Sequence, residues 1–243
     1  MDALYKEVAE LLVKLGPCVA LTGAGISAES GIPTFRSKGG LWDKYDPMVY
    51  ASVEVFRQDP SKYWLIRGEF IRNYGSYQPN PGHYALAARE KMGTLRHVIT
   101  QTIDGLHTKA GSQKVTESHG SLREIYCLSC GKEYLAPHVP EGDPPFCECG
   151  GVLKPNTVLF GEQLPREALE TAYRESSTCK TMLVIGTSAV VQPAASLPSL
   201  AKQNGALVIE VNPEKAFATA DYHIAEKAGK ALAGIVEQVK NRA

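Results

Sequence analysis

The sequence lacks a surplus of charge of either sign, because its 243 residues carry 26 Lys and Arg against 26 Asp and Glu. A chain without net charge has no overall field that would attract the phosphates of a nucleic acid. No block of like charges suggests a binding tail either. We therefore expect no direct binding of nucleic acid.

Long apolar runs are also missing. No stretch approaches the ~20 apolar residues that span a bilayer. Residues 1–16 mix acidic with apolar side chains, unlike the basic start and unbroken apolar stretch of a signal peptide. The chain is nevertheless long enough to bury a full core. These features predict a soluble, cytoplasmic protein that does not associate with a membrane.

Cysteine is scarce, and its spacing is informative. Four of the six cysteines form two close pairs, Cys127 with Cys130 and Cys147 with Cys149, and sixteen residues separate the pairs. Such pairs can meet around one tetrahedral zinc ion, which four thiolates would close to substrate, so the zinc would be structural. The second pair has one intervening residue where zinc ribbons usually have two. Two redox-active pairs remain the alternative.

Short apolar runs alternate with helical stretches along the chain. The runs lie at residues 18–21, 97–100, 182–185 and 207–211, and the helical stretches at 84–92, 166–173 and 194–203. This alternation predicts an α/β fold with a doubly wound parallel sheet. We predict a large domain of residues 1–41, 83–121 and 156–243, a helical insertion at 42–82 and a zinc-binding module at 122–155.

A glycine loop, Leu-Thr-Gly-Ala-Gly-Ile-Ser at residues 21–27, leaves the first strand and is predicted to enter a helix. Because glycine has no side chain, a pyrophosphate could approach the backbone N–H groups of this loop and the helix N-terminus closely. On its own, this loop is equally compatible with a tight turn.

The continuation of this loop to Arg36, GAGISAESGIPTFR, resembles the signature of the sirtuins, a family of NAD-dependent protein-lysine deacylases. Further blocks resemble that family in the same order: TQTIDGLH at residues 100–107, His119-Gly120, the cysteine pairs, and residues 160–162, 186–188 and 211–213. The resemblance covers nearly the whole chain. It implies a Rossmann-like fold with a small zinc-ribbon module, and the removal of acyl groups, acetyl above all, from protein lysines.

The resemblance also implies the site residues. The residues implied to bind NAD are Gly23, Ala24, Gly25, Ser27, Phe35, Arg36, Gln101, Thr102, Ile103, Asp104, Gly186, Thr187, Ser188, Asn212 and Ala228. An acyl-lysine peptide, bound as an extended strand, would contact Val158, Phe160, Gly161, Glu162 and Val190. Zinc would be held by Cys127, Cys130, Cys147 and Cys149.

The implied catalytic residues are His119, Thr102 and Asp104. In the family's mechanism the histidine takes a proton from a ribose hydroxyl, and an imidazole that titrates near neutrality suits this role. Thr102 stands where the family motif has asparagine, so we expect a slowed reaction. The alternatives are a mono-ADP-ribosyltransferase and a catalytically weak module that binds NAD, zinc and a partner. A dehydrogenase is disfavoured by Ile-Ser-Ala-Glu-Ser-Gly-Ile-Pro after Gly25, which does not continue as an uninterrupted helix.

The acyl preference follows from a second departure. Sirtuins that remove succinyl or malonyl groups carry a Tyr-x-x-Arg pair, whose positions correspond to Arg67 and Phe70 here. Without that pair an acidic acyl chain would be poorly matched in the tunnel. We therefore expect a preference for neutral acyl groups, unless Arg67 or Arg72 reaches the acyl group from another direction.

Overall fold

The computed structural model describes residues 2–36 and 39–240. Its main element is a six-stranded parallel sheet with the strand order β3-β2-β1-β7-β8-β9. The strands of this sheet are β1 (Cys18–Thr22), β2 (Leu95–Thr100), β3 (Val115–Glu117), β7 (Thr181–Ile185), β8 (Leu207–Val211) and β9 (Tyr222–Ile224). The predicted parallel sheet is confirmed.

Helices cover both faces of this sheet, which explains why β1 and β7 are apolar and buried along their whole length. One face packs against α1 (Asp2–Lys14), α6 (Pro81–Lys91) and α10 (Ala228–Lys240). The other packs against α8 (Arg166–Thr178) and α9 (Leu197–Gln203). Among the described residues, none of the helices is both long and apolar enough to cross a membrane.

A second body lies beside the sheet. It contains the short helices α2 (Leu41–Lys44), α3 (Pro47–Tyr50), α4 (Val53–Gln58) and α5 (Ser61–Arg72). It also contains an antiparallel sheet of β4 (Gly120–Cys127), β5 (Glu133–Leu135) and β6 (Leu153–Thr157). The two parts share one hydrophobic cluster, in which Trp64 on α5 donates a hydrogen bond of 3.0 Å to the carbonyl of Leu153. The domain boundaries stay a prediction.

The glycine loop does not enter an α-helix, so that prediction is wrong. Residues Ala24–Ile26 and Ala28–Ser30 form two short 3₁₀ turns, and Gly31 ends the second with a φ of 83°. A left-handed glycine followed two residues later by Pro33 stops helix propagation. The next α-helix along the chain is α2, and α7 (Leu106–Lys109) follows β2.

Candidate active site

The site lies where the winding of the sheet reverses. Strands β1 and β7 are neighbours, and their carboxyl ends lead into the loops at Gly23 and Gly186. The backbones of these loops touch: a Cβ on Gly23 would lie 2.7 Å from the Gly186 oxygen, and the N–H of Gly25 donates to that oxygen over 2.8 Å. Only glycine permits this approach. Such a reversal point is where open parallel sheets bind ligands.

A cavity of about 1180 Å³ opens at this point. It brings together most of the residues implied by the sequence: Gly23, Ala24, Gly25, Phe35, Arg36, Gln101, Ile103, His119, Val158, Phe160, Gly161, Glu162, Gly186, Thr187, Ser188, Asn212 and Ala228. Ser27, Thr102 and Asp104 lie behind its wall. Val190 is 61% exposed and points elsewhere, while the neighbouring Val191 lines the cavity.

The lining of the cavity carries more positive than negative charge. Its cations are Arg36, Arg67, Arg166, Lys215 and Lys227, and its acids are Glu29, Glu162 and Glu214. One charge of each sign is neutralised by an ion pair, Glu162 with Lys154 at 3.2 Å and Arg166 with Glu170 at 2.7 Å, which leaves four cations and two acids. The remaining field suits an anionic ligand such as a dinucleotide.

His119 lines the cavity with a defined tautomer. Its Nδ1 lies 3.3 Å from the carbonyl oxygen of Gln101. A carbonyl can only accept, so Nδ1 carries the proton and Nε2 keeps its lone pair. Burial lowers the pKa of His119, and the bond to Gln101 raises it by less. The imidazole is therefore neutral at pH 7 and can act as a base.

A buried hydroxyl network lies behind the cavity wall. The Thr102 hydroxyl is 2.8 Å from that of Thr100 and 3.4 Å from Oδ1 of Asp104. Asp104 also accepts from the Ser27 hydroxyl over 2.7 Å and from the N–H of Leu106 over 3.0 Å. Burial raises the pKa of Asp104, and the bond from Ser27 opposes this shift. Thr102 and Ser27 thus hold the carboxylate of Asp104 and do not face the cavity.

Two buried histidines, His83 and His107, extend this network, and sequence reasoning assigned them no site role. His107 Nε2 is 2.9 Å from the Thr22 hydroxyl, and the two imidazole rings pack edge to face with centroids 4.9 Å apart. Burial lowers the pKa of His83 to about 4 and that of His107 well below its ordinary value. Both are neutral at pH 7. A sequence signal for His107 did exist, because it is the last residue of the family-like block at residues 100–107.

The segment at residues 158–162 connects the cavity to the helical insertion. Phe160 exchanges backbone hydrogen bonds of 2.9 Å with Ala51 and Val53. The carboxylate of Glu162 is also held by the buried Nζ of Lys154 at 3.2 Å. This ion pair fixes the shape of the segment that the sequence assigns to peptide binding.

The four paired cysteines meet at one point. This point lies at the end of β4, whose last residue is Cys127, whereas His119 directly precedes its first residue. Their sulfur atoms all lie within 4.8 Å of one another. The closest contacts join Cys127 to Cys149 at 3.5 Å and Cys130 to Cys147 at 3.7 Å, across the two sequence pairs. A zinc tetrathiolate with bonds of ~2.3 Å has edges of about 3.8 Å. The donor set therefore fits a single zinc ion better than two separate redox pairs.

Comparison with known proteins agrees with this geometry. A model described as the Sir2 family matches residues 23–193. NAD-dependent protein deacylase 2 of Pyrobaculum aerophilum is 48% identical over 241 residues, which are 97% of this chain and 96% of that protein. A structure described as "Structural Basis for the Mechanism and Regulation of Sir2 Enzymes" superposes with a TM-score of 0.90 at 44% identity and covers 100% of both chains.

A solved complex described as Sir2 with a p53 peptide and NAD⁺ gives a TM-score of 0.88 at 36% identity, over 97% of this chain and 98% of the other. Relatives at this identity, matched over nearly their full length, leave no part of the fold unaccounted for. The chain belongs to the Sir2 family.

Proposed function

We propose that this chain uses NAD to remove acyl groups, including acetyl, from protein lysines, and that it releases nicotinamide and O-acyl-ADP-ribose. The observation that carries the proposal is His119, a neutral base whose Nε2 keeps its lone pair, at the wall of a cationic cavity at the reversal point of the sheet. A relative of similar fold is described in complex with both a peptide and NAD⁺.

The loops after the parallel strands supply the NAD site. Gly23 and Gly25 line the cavity with backbone alone, which a pyrophosphate can approach closely. Phe35 and Arg36, with Gln101 and Ile103 across the cavity, surround the nicotinamide end. At the adenosine end, the Asn212 amide donates to the carbonyl of Thr187 over 3.0 Å, which holds the two loops together.

His119 performs the proton transfer. Bound NAD supplies the ribose that accepts the acyl group and loses nicotinamide. Nε2 of His119 takes the proton of a ribose hydroxyl, and its bond to Gln101 keeps the ring aimed at the cavity. Asp104 and Thr102 act from behind the wall, because Asp104 fixes the turn between Ile103 and Leu106.

The peptide and the metal occupy the second body. An extended acyl-lysine peptide lies along Val158, Phe160 and Gly161, where it pairs through its backbone and is selected little by sequence. Cys127, Cys130, Cys147 and Cys149 hold one structural zinc ion. The zinc stabilises β4 and β5, the strands that pack against α5 through the shared hydrophobic cluster.

The test is to incubate the protein with NAD and an acetyl-lysine peptide and to detect nicotinamide and O-acetyl-ADP-ribose by mass. His119→Ala should lower turnover roughly 100-fold or more and leave NAD binding and the fold in place. The matched control is His138→Ala, at an exposed histidine of the predicted zinc-binding module at residues 122–155. Retention of near-parent turnover by His119→Ala refutes the role of the base, and ADP-ribose on the protein itself would favour the ADP-ribosyltransferase.

A further inference from the structure

Tyr134 on β5 makes a contact outside the cavity, at the cluster of four cysteines. Its hydroxyl donates a hydrogen bond of 3.2 Å to the sulfur of Cys147. In the part of the chain that the structure describes, no other side chain outside the four cysteines forms a hydrogen bond to their sulfurs. Tyr134 therefore joins the metal-binding group to the antiparallel sheet of the second body.

The pairing of β5 with β4 directs Tyr134 toward the second cysteine pair. Tyr134 lies opposite Ile125 of β4, and the N–H of Cys127 donates to the carbonyl of Lys132 over 2.9 Å. Side chains two residues apart along extended backbone point to the same face. Lys132 and Tyr134 thus share a face, and Lys132 forms an ion pair of 2.7 Å with Glu148, the residue between the cysteines of the second pair.

The ion pair and the hydroxyl differ in how much each can contribute. The side chains of Lys132 and Glu148 are 46% and 81% exposed, so water screens their attraction and the ion pair adds little. The ring of Tyr134 instead packs against the hydrophobic cluster of the second body, and its hydroxyl reaches a sulfur of Cys147, a residue that is only 5% exposed. A hydrogen bond to an ionised acceptor that is shielded from water is the stronger contact.

The charge of a zinc tetrathiolate explains why such a donor matters. Four thiolates outweigh the charge of one Zn²⁺, so the group remains negative after the metal binds. A hydrogen bond donated to one thiolate spreads this charge and fixes the position of the sulfur. The second pair has one residue between its cysteines where zinc ribbons usually have two, so its turn contains one backbone N–H fewer. A donor from β5 compensates for this.

We propose that Tyr134 is a positioning residue of the zinc site, whose hydroxyl determines how tightly and for how long the protein retains zinc. It acts on the metal through the sulfur of Cys147. This role rests on the proposed zinc site and is independent of the deacylation reaction. Groups that hold a metal ligand by a hydrogen bond commonly contribute roughly 10- to 100-fold in metal affinity.

The experiment compares zinc release from Tyr134→Phe and from the parent protein. Phenylalanine keeps the ring in the hydrophobic cluster and removes only the hydroxyl. Transfer of zinc to the chromophoric chelator pyridylazoresorcinol gives the rate of release, and competition at equilibrium gives the affinity. Tyr134→Phe should release zinc about tenfold faster or more and bind it about tenfold more weakly.

Two matched controls isolate the hydroxyl. Tyr126→Phe removes a tyrosine hydroxyl from the neighbouring strand β4 that forms no bond to a sulfur in the part of the chain that the structure describes. Lys132→Met removes the exposed ion pair to Glu148. Each should change the rate of zinc release by less than about threefold.

Cobalt provides a second readout, which a general loosening of the fold would not move. Co²⁺ in place of zinc gives a sulfur-to-metal charge-transfer band, and the energy of this band falls when a hydrogen bond to the sulfur is lost. Tyr134→Phe loaded with excess Co²⁺ should show the band at longer wavelength than the parent, whereas both controls should match the parent. This comparison is still possible if Tyr134→Phe loses its zinc during purification.

Three outcomes overturn the role of Tyr134. The first is zinc release from Tyr134→Phe at the parent rate, and the second is an unchanged cobalt band. The third is equal acceleration by Tyr126→Phe, because the effect would then not depend on the hydroxyl at Cys147. The proposed zinc site fails separately, if the parent protein itself binds neither zinc nor cobalt.

Discussion

Replacing Thr102 with asparagine is expected to speed up deacylation. The Thr102 side chain is 6% exposed, and its hydroxyl is directed at Thr100 and Asp104, while its neighbours Gln101 and Ile103 line the cavity. The threonine hydroxyl is therefore engaged behind the wall. An asparagine amide is longer and offers two donors and an acceptor, so it can keep a bond to the network and still reach the bound ribose.

The size of the effect follows from two opposing contributions. One positioned contact that acts mainly in the transition state is commonly worth ~2–4 kcal/mol. Disturbing the bonds of 2.8 Å to Thr100 and 3.4 Å to Asp104 costs about 1 kcal/mol, because the second of these is already long. The balance favours asparagine by ~1–3 kcal/mol, and its middle value of ~2 kcal/mol corresponds to more than about tenfold in kcat.

The assay measures kcat for an acetyl-lysine peptide at saturating NAD, together with the Kd of NAD. Thr102→Asn should raise kcat and change the Kd of NAD by less than about threefold, since the contact acts on the reacting ribose and not on the phosphates. Thr102→Val is the matched control: it keeps the shape of threonine and removes the hydroxyl, so it should lower stability by about 1 kcal/mol and should not raise kcat. An unchanged or lower kcat for Thr102→Asn refutes the role given to position 102.

Three further predictions concern the metal, the histidines and the peptide segment. Purified protein should contain about one zinc per chain, and Cys130→Ser should lower the melting temperature; a metal-free protein of equal stability would contradict the zinc site. Because burial lowers the pKa of His83 from 6.5 to about 4, its contribution to stability is complete above pH 6.5 and is lost as pH falls toward 4, by about 1.4 kcal/mol per pH unit. His83→Gln should reduce the slope of unfolding free energy against pH in that window, and a slope equal to the parent's would exclude His83 as its source. Lys154→Met should raise the KM of the peptide roughly tenfold and that of NAD much less, because it removes the ion pair that holds Glu162 and with it residues 158–162. Equal increases in both KM values would mean that Lys154 contributes only to the stability of the fold.

The central strands could be predicted from the sequence because their environment is uniform. β1 and β7 are buried along their entire length, so they appear as unbroken apolar runs, and helices on both faces follow from that. The close contact of Gly23 with Gly186 also leaves a sequence signal, since only glycine fits there. The resemblance to a family added the distant residues that no local pattern joins, such as His119.

Other features depend on tertiary contacts that leave little trace in the sequence. The edge strands β3 and β9 have three residues each, which are too few for a periodic signal. The helices predicted above do not include α10, although its apolar face is visible in the sequence. The direction of the Val190 side chain depends on the local turn, in which the adjacent Ala189 has a φ of 51°. Sequence spacing also could not show that Arg67 lines the cavity while Arg72 forms an ion pair with Asp143, which lies 71 residues further along the chain.

The two bodies contribute different walls to one cavity, so substitutions in one wall should affect different binding properties from substitutions in the other. The loops after β1, β2, β7 and β8 form the wall at Gly23, Gln101, Gly186 and Asn212, and this wall is attached to the main sheet. Arg67 and the segment at 158–162 belong to the wall attached to α5 and the cysteine module. Substitutions on α5 should therefore alter acyl and peptide selectivity with little effect on NAD affinity. Phe35 lies where the two walls meet, with its ring centre 4.9 Å from the guanidinium carbon of Arg67, so its substitution should alter both.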